Sequence, residues 1–375
     1  MLKHVMFVLI STALLTGGLL PTVTAQEENG LPAPTGPYQV GATFRQWIDE
    51  SREEPFTADP DDQRILSAWI YYPAVVDDSA ERMPYIMDEA IVPVIKVFAT
   101  DYYEQDYDAT VAALRELESF AYRDAPVADD NAPFPVILIT DPSGFPLQFS
   151  VQAVEYASQG YVVVQVLDCY GYELEFTETG IRTGDLEDTP GDWLMELSVI
   201  DIMAVLDRLD VLNAPDSGDS LADTLDLSRI GIVGSSIGGG VAREAALRDN
   251  RITAGVSLDG AFEPYAPTPL EQPFMYVYQY FEPGPFYQQS EVVAYRISFK
   301  DFRHGSFSDY LFWPGVQDHP AVRGRTVTSI RAHEVFTTYI VAFFDEYLKG
   351  DEQPLLDGES EDFPEVLTIE SMNTD

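Results

Sequence analysis

The chain has 375 residues, 63 of them acidic against 21 basic, a formal net charge of −42 and one cysteine. So negative a surface makes nucleic acid and anionic membranes poor partners, and a single cysteine excludes an internal disulfide. Hydrophobic residues make up 46% of the chain, enough to build the core of one large α/β domain. Self-repulsion of this size destabilises a compact state at low salt, so the composition suits a saline medium.

Met1 to Ala25 reads as a secretory signal: a short basic start at Lys3 and His4, an apolar run from Val5 to Leu20, and small residues at Val23-Thr24-Ala25. The run is short for a membrane span, and no cysteine nearby supports a lipid anchor. The expectation is therefore an exported protein, 26–375, forming a single catalytic domain without a stable membrane anchor. Gln26 to Pro37 is a proline-rich lead. Arg64 to Tyr72 has the pattern of a strand, ended by Pro73. Segment 85–125 mixes apolar and acidic residues, with Val111, Leu114, Leu117 and Phe120 at helical spacing. It suits either a cap over a site or surface helices packed on a sheet.

Phe134 to Thr140 and Tyr161 to Leu167 are continuous apolar runs, the pattern of strands covered on both faces. Phe149 to Ser158 between them reads as a helix. Trp193 to Leu209 reads as a long amphipathic helix with Trp193, Leu197, Ile200, Ala204, Leu206 and Leu209 inward. Strands at Ile252 to Leu258, Phe274 to Tyr280 and Tyr295 to Phe299 follow, then a helix from Thr328 to Lys349 stopped by Gly350. The acidic tail, 351–375, is expected to be partly disordered. Strands alternating with helices predict an α/β fold with a mostly parallel central sheet and helices on both faces.

Arg229 to Gly240 reads R-I-G-I-V-G-S-S-I-G-G-G. It is a G-x-S-x-G sequence with a buried strand before it and a helix after it, the context in which that motif presents a nucleophile, here Ser236. A serine hydroxyl needs a base. Beyond the signal the chain has three histidines. His333 lies within the last amphipathic helix and His319 in a turn, whereas His304 follows a late strand in a polar loop, the position of the base in the order Ser, Asp, His. Asp259 closes the strand after the serine and is the candidate acid. Glu263 lies beyond the turn, and Asp168 precedes the serine and is out of order. Ile237, directly after the nucleophile, supplies one backbone N–H for an oxyanion hole. The turn after Thr140 supplies the other, from Ser143 or Gly144, since Pro142 has no N–H. One cysteine and the lack of H-E-x-x-H leave no zinc pattern, and Gly238-Gly239-Gly240 lacks dinucleotide spacing, so no cofactor or metal is expected.

The chain resembles the platelet-activating factor acetylhydrolase family of α/β-hydrolases, in its bacterial secreted branch. The likeness is carried by Leu31 to Gly41, Asp49-Glu50-Ser51-Arg52, Trp69 to Pro73, Phe134 to Phe145, Tyr156 to Val163, Gly234 to Gly239, Leu258-Asp259, His304-Gly305-Ser306-Phe307-Ser308-Asp309 and Phe343 to Gly350. It covers nearly all of 26–375. The resemblance implies an α/β-hydrolase fold and calcium-independent release of short or oxidised acyl groups from phospholipids through an acyl-serine. Two positions depart from the family. Ser235 stands where it has histidine, and Asp141-Pro142 where it has His-Gly. Both alter the walls around the acyl carbon. A general short-chain carboxylesterase is the neighbouring reading in chemistry, with Tyr276 to Tyr287 as an acyl pocket or as ordinary core. A non-catalytic binding protein on a hydrolase scaffold is the reading from another class.

Overall fold

The computed structural model describes residues 30–373 apart from 56, 58, 60, 78, 97–98, 101–102, 143–145, 168–173, 178–179 and 184–190. The signal segment, Ser143, Gly144 and Asp168 thus lie outside the described residues.

The chain runs β1 (Gln39–Glu53), β2 (Gln63–Ala74), α1 (Val92–Lys96), α2 (Tyr107–Arg115), β3 (Ala121–Arg123), β4 (Phe134–Thr140), α3 (Ser150–Ser158) and β5 (Val162–Val166). It continues through β6 (Leu174–Thr177), β7 (Gly180–Thr183), α4 (Gly191–Leu212), β8 (Leu225–Ser235), α5 (Ile237–Arg248), β9 (Ile252–Leu258) and β10 (Phe274–Val277). The end of the chain is α6 (Gly284–Gln288), β11 (Ala294–Phe299), α7 (Ser329–Phe344) and β12 (Val366–Met372). Ten strands form one sheet in the order β12-β11-β10-β9-β8-β4-β5-β2-β1-β3, and β6 pairs with β7 apart from it. The six strands from β5 to β11 are parallel to one another. Antiparallel neighbours, β2 and β12, flank them.

The apolar runs are continuous because successive residues of a strand feed opposite faces. On β4, Ile137 and Ile139 join a core that includes residues of α3 and α7. Val136 and Leu138 join a second core with α4 and α5. All seven residues of β4 are buried. Helices thus cover both faces, and the parallel strands end together at one edge.

Several boundaries differ from the sequence expectation. Pro73 does not end β2; it lies within the strand, paired with Val40. Trp193 and Ile200 are not inward but 38% exposed; α4 buries Met195, Val199 and Ile202 alongside the expected Leu197, Leu206 and Leu209. The helix is apolar on so many sides that its inward stripe is ambiguous from spacing alone. Within the acidic tail, Val366–Met372 is ordered as β12 against β11, with Glu370 ion-paired to Arg296 at 2.8 Å. Segment 85–125 holds short helices, and Tyr85, Ile91, Val94, Ile95, Val111 and Leu114 pack into the same core as α3 and α7.

Candidate active site

Ser236 follows the last residue of β8 and precedes the first of α5, with φ 54° and ψ −122°. A non-glycine residue held at positive φ is strained and persists only where its surroundings impose it. Here they do. Its N–H donates to the Leu258 carbonyl at 3.0 Å, and its own carbonyl accepts from Gly239 and Ala261 at 3.0 and 2.9 Å. The flanking glycines are steric requirements of this turn. A Cβ on Gly234 would collide with the Gly238 carbonyl, and one on Gly238 with the Thr140 carbonyl. The latter contact presses the serine turn against the end of β4, where the chain enters the turn at Asp141. The Ser236 side chain makes no capping bond to its helix. Ile237 opens α5, so its N–H belongs to the first turn, which has no partner within the helix.

Register places the acid beside the serine, since Ser235 pairs with Leu258 across β8 and β9. Asp259 comes next and is fully buried, at φ 48°, a left-handed geometry that aspartate tolerates better than most residues. Its Oδ1 accepts three successive backbone N–H groups, from Gln279 and Tyr280 at 2.8 Å and Phe281 at 3.0 Å. Its Oδ2 lies 2.7 Å from His304 Nδ1. Burial pushes the Asp259 carboxyl up, but the His304 hydrogen bond and charge and the Phe281 and Gln279 amides outweigh it and hold it below its ordinary value. These amides explain a sequence boundary. The run Phe274 to Tyr280 reads as one strand, but β10 stops at Val277 because the amides of 279–281 turn to the carboxylate.

His304 begins the segment after β11 and stays partly exposed, its side chain at 39%. Phe281 meets its ring edge-on, with centroids 5.7 Å apart. The loop behind it is pinned by Ser306, whose Oγ donates to the Val322 carbonyl at 2.5 Å and accepts from the Arg303 N–H at 2.8 Å. The other histidines are not brought here. His333 is buried against Phe312 and Phe336, and burial drives it down to about 3. His319 packs on Tyr103 at 5.2 Å and accepts from the Ala321 N–H at 3.2 Å; burial lowers it too.

The structure thus joins Asp259 to His304 directly and sets Ser236 in the turn after β8, the strand paired with β9, which Asp259 follows, all at the C-terminal edge of the sheet. Of the residues named for an oxyanion hole, it describes Ile237 only. Three aromatics of the run Tyr276 to Tyr287 belong to the core: Tyr276, Phe286 and Tyr287. Tyr276 and Tyr287 are buried, and Phe286 stacks on Phe262 at 4.5 Å with the Arg243 guanidinium over its ring at 4.8 Å. Phe281 is the member that reaches the histidine, and Tyr280 beside it is 55% exposed. The amide clamp and this aromatic edge were not legible from residue types, since backbone N–H groups carry no sequence signature.

No family model matches the chain, and no curated protein matches it. Among solved structures, a ferulic acid esterase from Streptomyces cinnamoneus is similar, with 26% identity and a TM-score of 0.71 over 91% of this chain and 98% of that one. The fold is that of an α/β-hydrolase. The likeness supports a serine-type carboxylic ester hydrolase in general terms. Among the described residues no group of three or more metal-ligating side chains comes together, and no helix is long and apolar enough to cross a membrane.

Proposed function

We propose that this chain is an exported serine esterase that cleaves short acyl groups, including short or oxidised chains carried by zwitterionic phospholipids. The observation that carries the chemistry is the His304–Asp259 contact at 2.7 Å, with three amides on the far oxygen of the acid. That clamp aims Asp259 at Nδ1, so Nδ1 carries the proton and Nε2 is left as the base. Ser236 Oγ attacks the ester carbonyl carbon while Nε2 takes its proton. The tetrahedral oxyanion accepts the Ile237 N–H and a second N–H from Ser143 or Gly144. Donors of this kind typically lower the barrier by about 3–4 kcal/mol each. The intermediate collapses, the C–O bond to the alcohol breaks, and His304 returns the proton to the leaving oxygen. Water then gives a proton to His304 and its oxygen to the acyl carbon, the bond from that carbon to Ser236 Oγ breaks, and His304 returns the proton to Oγ as the acid departs. Preference for neutral or zwitterionic esters follows from the net charge of −42, which repels anionic interfaces.

A second substrate reading, an aryl or hydroxycinnamoyl ester, is favoured by Phe281 against the histidine, by the exposed Tyr280 next to it in the chain and by the likeness to a ferulic acid esterase. Wild type and Ser236→Ala would be compared on p-nitrophenyl esters from acetate to dodecanoate, on a short sn-2-acyl phosphatidylcholine and on methyl ferulate. We expect the serine variant to lose at least about a thousandfold in turnover. Phospholipid turnover with little on ferulate supports the first reading, and the reverse supports the second. Unlabelled Ser236 after a fluorophosphonate probe, in folded protein, would leave a binding scaffold as the better account.

A further inference from the structure

The segment that carries His304 reverses the charge balance of the chain. Over residues 300–326 four cations, Lys300, Arg303, Arg323 and Arg325, face three acids, Asp301, Asp309 and Asp318, in a chain where acids outnumber bases threefold. All three acids are engaged. Asp301 accepts from Thr326 Oγ1, Asp309 is buried on Ser150 and Val151 of α3, and Asp318 is paired with Arg323 at 2.6 Å. The other three cations are not. Among the described residues no carboxylate lies within ion-pair distance of Lys300, Arg303 or Arg325. Two arms of the loop gather them. Phe302 bridges Arg323 in antiparallel register, and the Gly324 N–H donates to the Asp301 carbonyl at 2.6 Å. That register places Lys300 opposite Arg325, both exposed, and like charges set opposite one another are unfavourable unless an anion is shared between them. Arg303 is half-buried and adjoins His304 in the chain. Its Nη1 donates to the Phe302 carbonyl at 2.7 Å, and the rest of its planar fork of donors has no partner among the described residues.

We propose that Arg303, supported by the Lys300–Arg325 pair, receives a phosphate on the alcohol side of the ester and so selects phospholipid over neutral esters. The proposal rests on the esterase reading given above. The chemistry fixes the side. His304 returns its proton to the leaving oxygen, so the alcohol half of the substrate departs against His304. In a phospholipid cleaved at sn-2 the alcohol half carries the phosphate, a few bonds from the leaving oxygen. A guanidinium next to the histidine therefore stands on the phosphate's side, and its fork matches two phosphate oxygens. Charge complementarity singles out the occupant. The surface as a whole repels anions, so a phosphate is held only where the local balance is reversed, and the surrounding acids favour a phosphate that travels with a cation. A zwitterionic phosphodiester meets both conditions. A hydroxycinnamoyl ester of a neutral alcohol offers Arg303 nothing.

The test compares the full chain on two esters with the same acyl groups, dibutyrylphosphatidylcholine below its micellar range and dibutyrylglycerol. In Arg303→Ala the ratio of kcat/KM, phospholipid over glyceride, should fall about tenfold, through KM for the phospholipid. Arg303→Lys should keep part of the ratio, and the double variant Lys300→Ala with Arg325→Ala should lose a smaller share than Arg303→Ala. A merely structural role for Arg303 would lower kcat on both esters alike and leave the ratio where it was, which overturns the proposal. Glycerophosphocholine should inhibit the wild type at lower concentration than inorganic phosphate; the reverse order would make this a site for free phosphate and overturn the headgroup assignment. Calorimetry reads the site without turnover. Dibutyrylphosphatidylcholine should bind Ser236→Ala about tenfold more tightly than it binds the same protein with Arg303→Ala added. Equal binding to the two, with Ser236-dependent turnover intact, sinks this proposal alone. Arg303-dependent binding without Ser236-dependent turnover sinks the esterase reading instead.

Discussion

Asp259 meets opposing demands: it is buried like a core residue yet kept ionised. Four hydrogen bonds hold it, three from amides and one from His304. Asp259→Asn keeps the size and the amide clamp but reverses the polarity of the oxygen facing His304, stabilising the wrong tautomer. We expect turnover to fall by roughly ten-thousandfold with little change in KM, measured on a short p-nitrophenyl ester. The same residue has a sign in stability. Its carboxyl lies below its ordinary value in the folded state, so its contribution is present above the unfolded value of about 3.9 and is lost as pH falls through the lower, folded value. Wild type should therefore lose urea resistance more steeply than Asp259→Asn on acidification through that range. Equal acid sensitivity in the two would show that the clamp does not hold the charge.

At the scale of elements, a buried ion network fastens the β1–β2 hairpin to α4. Arg64 donates to Glu54 at 2.9 Å and to Asp201 at 2.7 Å, with Arg64 and both acids essentially unexposed. Arg52 adds bonds to Asp49 and Asp201, each at 2.6 Å. Removing one member of such a set leaves a buried charge without its partner. Arg64→Ala should cost roughly 3–5 kcal/mol in a denaturant titration, whereas loss of the exposed Arg115–Glu89 pair should leave the midpoint nearly unmoved. Similar costs at the two places would refute the network's role. This network was not legible in the sequence, because its members are distant in the chain and arginine and aspartate are ordinarily surface residues. The parallel strands were legible, since burial on both faces leaves continuous apolar runs such as Phe134 to Thr140 and Ile252 to Leu258. The flanking strands were not. β1 mixes buried and exposed residues over its length, and β12 is mostly half-exposed. Ser236 was legible because its turn admits only small neighbours. Phe281 was not, because its place beside the histidine depends on where the backbone turns to the Asp259 carboxylate.

For the whole molecule, the net charge of −42 sets the balance. Many arginines are already engaged at the surface: Arg248 with Glu196 and Glu244, Arg251 with Asp207, Asp210 and Asp249, and Arg331 with Glu334 and Glu365. Salt weakens such pairs, but each exposed pair is worth only about 0–1 kcal/mol. It also screens repulsion among the acids left over, within a Debye length of about 3 Å at molar salt. The second effect is the larger where acids outnumber bases threefold. The thermal midpoint should rise between dilute buffer and about 1 M sodium chloride. A midpoint that stays level or falls would count against adaptation to a saline medium.

The grip on Asp259 also bears on how this protein can diverge. The three groups that hold the acid are backbone amides, which every residue but proline supplies. Of the side chains on those same positions, Phe281 stands against the histidine and Tyr280 is open to solvent. A lineage can therefore rewrite the surface that greets an incoming molecule, one codon at a time, while the acid keeps its place. Inheritance of the chemistry and drift in what it acts upon are separated within a single tripeptide.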